Sequence, residues 1–214
     1  MAAVVADVAP LLKSAGFRKR RHAFNRTTEP GLVQVVHVQM GPFEPPGSEG
    51  ISLSGSLYGR FTINLGVYVP EMVLEEQQKR SGWVNEYNCQ LRQRIGLLLT
   101  PPADTWWSLD DPAEASDAAR HALDSAGLPW LDRLPSRKAI LDAYELLGWA
   151  AIGMSPRGPV EIAWLVKGED RERAEAILRD YMQEPFRNPG HWEPLSRWLK
   201  AGGFEHLLDE PPTR

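Results

Sequence analysis

Apolar and polar residues alternate over ten positions, 60–69, which is the period of a half-buried strand. The apolar positions share one face of that strand: Phe61, Ile63, Leu65, Val67 and Val69. The other face carries polar, aromatic and small residues: Arg60, Thr62, Asn64, Gly66 and Tyr68. The pattern predicts a strand with one face in the core and a second face available to bind another molecule.

Further strands are predicted nearby. Residues 17–26 and 32–40 have strand character, and the Gly- and Pro-containing turn at 29–31 makes them an antiparallel hairpin. Residues 89–98 also begin as a strand, although their apolar positions fit a helical period as well. Residues 41–59 are rich in Gly, Pro and Ser, which predicts a long loop.

Helices are predicted at the N-terminus and in the second half of the chain. The first covers 2–15 and ends at Gly16, and a short one is expected over 71–80. The later helices are expected at 112–126 (ended by Gly127), 128–148 (broken at Pro135, with Ser136 capping the piece 137–147), 159–167, 170–183 and 193–201.

Strands therefore cluster in the first hundred residues and helices in the remainder, which is typical of an α+β fold. We expect an antiparallel sheet of four or more strands packed by helices, with an α-helical C-terminal extension. Residues 1–140 form the α+β domain in this interpretation. Residues 141–214 form the extension, docked on that domain as part of one compact unit.

Composition narrows the function. The chain has 214 residues, 24% charged and 43% hydrophobic, with a net charge of −4. That charge argues against nucleic acid as the main partner, because such binding needs a basic surface. The single cysteine, Cys89, rules out a disulfide within the chain. No apolar run approaches the roughly 20 residues of a membrane span, so we expect a cytoplasmic protein with no membrane partner.

Candidate catalytic and metal-binding motifs are weak. The five histidines do not occur at metal-ligand spacings, and no phosphate-binding loop is present, so we expect no cofactor and no metal. Cys89 is interpreted as a buried structural residue, with His37 as the only base considered for a nucleophilic role. The basic run at 18–22 is interpreted as a charged edge strand, with a nucleic-acid- or anion-binding patch as the alternative.

Four short motifs occur in a characteristic order: LKSAGFRKR at 12–20, INLG at 63–66, CQLRQR at 89–94, and the tryptophan pair at 106–107. In these residues the chain resembles a bacterial family catalogued only as domain of unknown function 4304, over roughly residues 8–140. Gln90 stands where a histidine is expected in many relatives. The resemblance implies an α+β fold and carries no established activity.

The best candidate site combines the polar face of the central strand with the next strand. Arg92 and Arg94 lie two apart on a strand and project to one side, where each guanidinium can bind a carboxylate or phosphate. The binding residues we expect are Asn64, Tyr68, Arg92, Arg94, Trp106 and Trp107. The alternative is that the arginines are paired with nearby acids such as Glu86 or Asp104.

The leading hypothesis is a non-enzymatic protein of the toxin-immunity or inhibitor type. It would bind a protein partner through these residues, since Arg, Tyr and Trp anchor interfaces. The alternative is a receptor or enzyme for an anionic small molecule, with the arginine pair as the anion site and 41–59 as a lid. A closed pocket bearing both arginines favours this alternative, whereas a flat sheet face disfavours it. Neither the oligomeric state nor the partner's identity follows from the sequence.

Overall fold

A computed structural model describes residues 1–42, 57–74, 82–183 and 192–209. The first helix, α1, covers Ala2–Ser14. It ends at Gly16, whose φ of +86° suits glycine, and the Phe17 N–H donates to the Leu12 carbonyl at 2.9 Å. This return of the chain onto the helix confirms the predicted end of α1.

The described residues form a six-stranded antiparallel sheet in which β1 to β5 lie side by side in chain order. The strands are β1 (Arg18–Arg20), β2 (Ala23–Glu29), β3 (Leu32–Met40), β4 (Arg60–Tyr68), β5 (Leu91–Arg94) and β6 (Trp107–Ser108). The short β6 pairs with the beginning of β4, through Arg60 and Phe61. Together with the helices, this sheet confirms the α+β fold.

Two predicted strands are shorter than expected. The strand at 17–26 is divided between β1 and β2 by a tight turn in which Arg21 has a φ of +55°. The strand at 89–98 is reduced to β5, after which Ile95–Leu98 form a 3-10 helix. Gly96 lies in this 3-10 helix, and a Cβ on it would lie 2.3 Å from the carbonyl oxygen of Ala103, so the backbone at 103 packs directly against the glycine.

Two other predictions fall largely outside the described residues. Of the helix predicted at 71–80, the structure describes a 3-10 helix at Pro70–Met72, and residues 75–81 lie outside the described ranges. Most of the loop predicted at 41–59 also lies outside them.

The later helices are α2 (Pro112–Ala122), α3 (Leu128–Asp132), α4 (Arg137–Leu147), α5 (Gly158–Val166), α6 (Arg171–Gln183) and α7 (Trp192–Gly202). Ser136 caps α4 as predicted, since its side chain accepts a hydrogen bond from the Ala139 N–H at 3.0 Å. The predicted stop at Gly127 is wrong. The chain continues from α2 through a π-helical turn, Leu123–Gly127, directly into α3. Gly127 is buried against Ile95 and Leu65, so its small size permits close packing on the sheet.

The apolar face of β4 lies in the main core, together with α1, α2 and α3. A second apolar cluster is built by α5, α6 and α7, and within it the rings of Trp164 and Trp198 lie 4.8 Å apart. Helix α5 contributes to both, with Ile162 in the main core and Trp164 in the second cluster. No helix among the described residues is long and apolar enough to cross a membrane.

Candidate functional site

The polar face of β4 is largely covered. Asn64 and Tyr68 are only 7% and 3% exposed, and Thr62 is fully buried. Cys89 covers part of this face, because it packs directly on Gly66. A Cβ on that glycine would lie 2.6 Å from Sγ of Cys89. The described residues therefore do not present this face as the open surface that the alternation predicts.

Arg94 lies at one end of a local polar network. Its Nε donates to Oδ1 of Asn64 at 3.4 Å, and its Nη1 donates to Oδ1 of Asp104 at 2.6 Å. Its guanidinium also lies 5.2 Å from the centre of the Trp106 ring. The hydrogen bond from Arg94 is the main cause that lowers the pKa of Asp104. Arg94 is thus paired with one of the acids considered as its alternative partner.

Trp107 has a different environment from its neighbour Trp106. Its ring packs on Phe61 with the ring centres 5.4 Å apart, and it contacts the main core. The structure therefore places Trp107 with the core residues, whereas Trp106 stacks on Arg94.

Arg92 forms an ion pair with Glu86, the other acid that the sequence analysis considered as a partner. Its Nε donates to Oε1 of Glu86 at 2.6 Å, and this is its one side-chain hydrogen bond within the described residues. Glu86 is buried, while the Arg92 side chain is 51% exposed. The buried carboxylate therefore fixes one edge of a guanidinium that remains open to solvent.

Arg92 lines a cleft of about 640 Å³ in which Arg94 has no part. Its sheet side includes Tyr68, Asn88 and Arg92, and its helix side includes Ser155, Arg157 and Glu161. The two sides are joined where the Arg92 backbone N–H donates to the Gly153 carbonyl at 2.7 Å. Two arginines thus line one cleft, and the second is Arg157, whereas the sequence analysis expected Arg94.

Arg157 is held in the same manner as Arg92. Its Nη2 donates to Oε1 of Glu161 at 3.0 Å, four residues along the chain, and its guanidinium lies 5.4 Å from the Trp198 ring. The Glu161 residue is 3% exposed, while the Arg157 side chain is 50% exposed. Each arginine of the cleft is therefore half-exposed and anchored by a buried carboxylate.

Two residues that line the cleft each carry a hydrogen-bond acceptor without a partner among the described residues. These acceptors are Oε2 of Glu161 and Oδ1 of Asn88, and both atoms are buried beneath the cleft surface. Burial raises the pKa of Glu161, and the opposing effect of Arg157 does not cancel that increase.

Arg157 and Glu161 were not identified as site residues from the sequence. One signal was present: Glu161 is the single charged residue in the apolar stretch Gly158–Val166, and it follows Arg157 by one helical turn. A charge within an otherwise buried helix needs a partner, and the spacing indicates which one.

Cys89 has the environment of a structural residue. It is buried, and burial raises the pKa of its thiol far above the ordinary value. Its Sγ donates to the Asn85 carbonyl at 3.8 Å, and no hydrogen bond within the described residues joins it to His37. Burial also lowers the pKa of His37. Both shifts disfavour an activated thiolate at this position.

Metal ligands are not clustered in the part of the chain that the structure describes. No group of three or more His, Cys, Asp or Glu side chains there is arranged to hold a metal ion.

Gln90, at the position where a histidine is expected, forms hydrogen bonds with the backbone. Its Oε1 accepts from the Val69 N–H at 2.9 Å, and its Nε2 donates to the Asn88 carbonyl at 2.8 Å.

Comparison with known proteins identifies the family. A family model described as a domain of unknown function, DUF4304, matches residues 8–133. The chain belongs to the DUF4304 family. No curated protein and no solved structure matches the chain. The family match contains the sheet side of the cleft, whereas Ser155, Arg157 and Glu161 lie beyond its end.

Proposed function

We propose that this DUF4304 member binds a small anionic molecule in the cleft, between Arg92 and Arg157. The observation that carries the proposal is the repeated arrangement of the two arginines. Each is half-exposed, each is held by a buried carboxylate, and both line the same cleft. The second arginine of the proposed anion site is therefore Arg157, in place of Arg94.

The arrangement suits anion binding for two physical reasons. Guanidinium groups bind carboxylate and phosphate through paired N–H donors. Side chains that are already anchored lose less conformational entropy when the ligand binds. The cleft volume of about 640 Å³ is also within the range of small-molecule sites.

The protein is placed in the cytoplasm in this proposal. The supporting observation is the single cysteine, which is buried and reduced, as is common in a reducing compartment.

The test is calorimetric titration of the full chain with two probes, glutarate and inorganic phosphate. Glutarate presents carboxylates and phosphate presents the other anion that arginine favours. The variants are Arg92→Gln and Arg157→Gln, which keep a polar side chain but remove the charge. Arg120→Gln is the matched control, because Arg120 is an exposed, ion-paired arginine that is not among the cleft residues.

We expect at least one probe to bind the wild type and the control equally. Each cleft variant is expected to bind that probe about tenfold or more weakly, since a hydrogen bond to a charged group contributes about 1.5–3 kcal/mol. The proposal is overturned if neither probe binds at about 10 mM, a concentration that detects even weak millimolar affinity. It is also overturned if either cleft variant binds as well as the control.

A protein partner is the second candidate function, with an acidic side chain of that partner in the same cleft. Tyr87 favours it, since this residue lines the cleft and its 69% exposure is unusual for a large aromatic residue. The test compares affinity capture from lysate by wild type and by the Arg92→Gln/Arg157→Gln double variant. A stoichiometric partner that is lost with the double variant supports this function, and equal capture by both contradicts it.

A further inference from the structure

We infer that the ligand of the Arg92–Arg157 cleft carries a hydrogen-bond-donating amine beside its anionic group, as an amino acid does, and that Glu161 and Asn88 receive this amine. The inference rests on the proposed function, because it concerns the same cleft. It goes beyond that function by naming the class of ligand.

The first observation is the unpartnered carboxylate oxygen. Glu161 is almost completely buried, its Oε1 accepts from Arg157, and its Oε2 has no partner within the described residues. A buried acceptor without a donor is costly, and most such atoms in folded proteins do have partners. Oε2 is closed to solvent, so side chains that line the cleft must move to uncover it; a ligand that then donates to Oε2 removes this cost.

The second observation is that another residue lining the cleft, Asn88, also carries a buried acceptor, Oδ1, without a partner among the described residues. Two residues with an unsatisfied acceptor and two half-exposed arginines thus line one cleft of about 640 Å³. The complementary ligand has an acceptor-rich anionic end and a donor-rich end.

A primary ammonium group on the ligand suits the two acceptors, Glu161 and Asn88, better than a bare metal ion does. An ammonium offers several N–H donors and a positive charge for the Glu161 carboxylate. A divalent cation would need more oxygen ligands than these two, and it would meet the positive charges of Arg92 and Arg157. A zwitterion places its anionic end near the arginines and its cationic end near the carboxylate.

The experiment compares two probes of the same carbon skeleton, L-glutamate and glutarate, which differ in the α-ammonium group. Affinities are measured by calorimetry for the wild type, Glu161→Gln and Asn88→Ala. Glu114→Gln is the control, because it removes an exposed carboxylate in the first turn of α2. Near-ultraviolet circular dichroism verifies that each variant is folded.

We expect the wild type and the control to bind L-glutamate about tenfold or more tightly than glutarate, which corresponds to a single good charged interaction. In Glu161→Gln that preference is expected to disappear, while glutarate still binds. In Asn88→Ala the preference is expected to decrease by a smaller factor, since a neutral acceptor is lost.

The outcomes separate the inference from the function on which it rests. If glutarate binds and depends on Arg92 and Arg157, but L-glutamate binds no better, the inference is overturned and the proposed function stands. If neither L-glutamate nor glutarate binds, the inference is overturned, and the titration with phosphate decides whether the proposed function stands. If Glu161→Gln does not fold, Asn88→Ala decides: an unchanged preference in that folded variant overturns the inference.

Discussion

Each side of the cleft has a half-exposed arginine paired with a buried glutamate, but the two pairs form in different structural contexts. On the helix side, Arg157 and Glu161 are one helical turn apart, so local structure alone brings them together. On the sheet side, Glu86 and Arg92 are six residues apart, Glu86 in a short 3-10 helix and Arg92 in β5, so the turn between two successive elements brings them together. The comparison shows that the same ion pair can form within one helix or between two neighbouring elements, and that only the second case depends on how the elements are joined.

The largest expected effect is at the junction of the two sides. Gly153 has a φ of +81°, and a Cβ on it would lie 2.6 Å from the carbonyl oxygen of Arg92. Gly153→Ala therefore combines an unfavourable backbone conformation with a clash against backbone. We expect a loss of about 2–4 kcal/mol in the free energy of unfolding, measured with urea.

Gly59→Ala is the matched control for that substitution. Gly59 has a φ of +67°, and a Cβ on it would meet no atom of the described residues within 4 Å, so we expect only the conformational cost of about 1–2 kcal/mol. Equal losses in the two variants would contradict the close junction between the sides of the cleft.

A smaller effect is expected from Gly66→Ala, which tests how the sheet side is covered. The new methyl group would lie within 2.8 Å of both Sγ and Cβ of Cys89, so the segment that contains Glu86 must shift. We expect a loss of about 1–3 kcal/mol in unfolding free energy. We also expect faster reaction of Cys89 with a thiol reagent, because its burial is reduced. Unchanged labelling would show that Cys89 does not seal this face of the sheet.

The pH dependence of stability distinguishes Glu161 from an ordinary ion-paired acid. Its pKa in the folded protein is raised above the ordinary 4.5, mainly by burial. The stability associated with a raised pKa is present below 4.5 and is lost as pH rises through the folded-state pKa. We therefore expect the wild type to lose stability relative to Glu161→Gln as pH increases from 4.5.

Glu29→Gln is the control with the opposite sign. Hydrogen bonds from the Arg137 backbone N–H and side chain lower the pKa of Glu29. That stability is present above the ordinary pKa and is lost as pH falls through the lower folded-state pKa. Urea unfolding of both variants over the same pH range checks the two trends, and parallel trends would contradict the assignment for Glu161.

The smallest effect is expected at Arg94, the arginine that the structure places outside the cleft. Its ion pair with Asp104 is partly exposed, so Arg94→Gln should cost only about 0.2–1 kcal/mol of stability. Glutarate affinity should remain that of the wild type. A loss of glutarate affinity as large as that of Arg92→Gln would show that Arg94 belongs to the binding site.

Local signals in the sequence accounted for much of the fold. The strand β4, the end of α1 at Gly16 and the cap at Ser136 depend on residues close in the chain, and each occurs as predicted. The stop at Gly127 was wrong, because that glycine serves tertiary packing. A local pattern does not distinguish these two uses of glycine.

The candidate site was predicted less completely for a related reason. Arg92 was identified, and both acids considered as alternative partners do pair with the arginines. Arg157 was missed because the bond between Arg92 and Gly153 joins positions far apart in sequence. The polar face of β4 was expected to be open, since alternation does not reveal that Cys89 crosses it at Gly66.

Arg92 and Arg157 are proposed to hold one ligand from the two sides of the cleft. A double-mutant cycle of Arg92→Gln and Arg157→Gln, measured on glutarate or phosphate affinity, tests this proposal most directly. We expect a loss of affinity in each single variant and a coupling energy above about 0.5 kcal/mol between them, as found for groups that share a partner. Losses that add to within about 0.3 kcal/mol, or a single variant with no loss, would contradict a shared site.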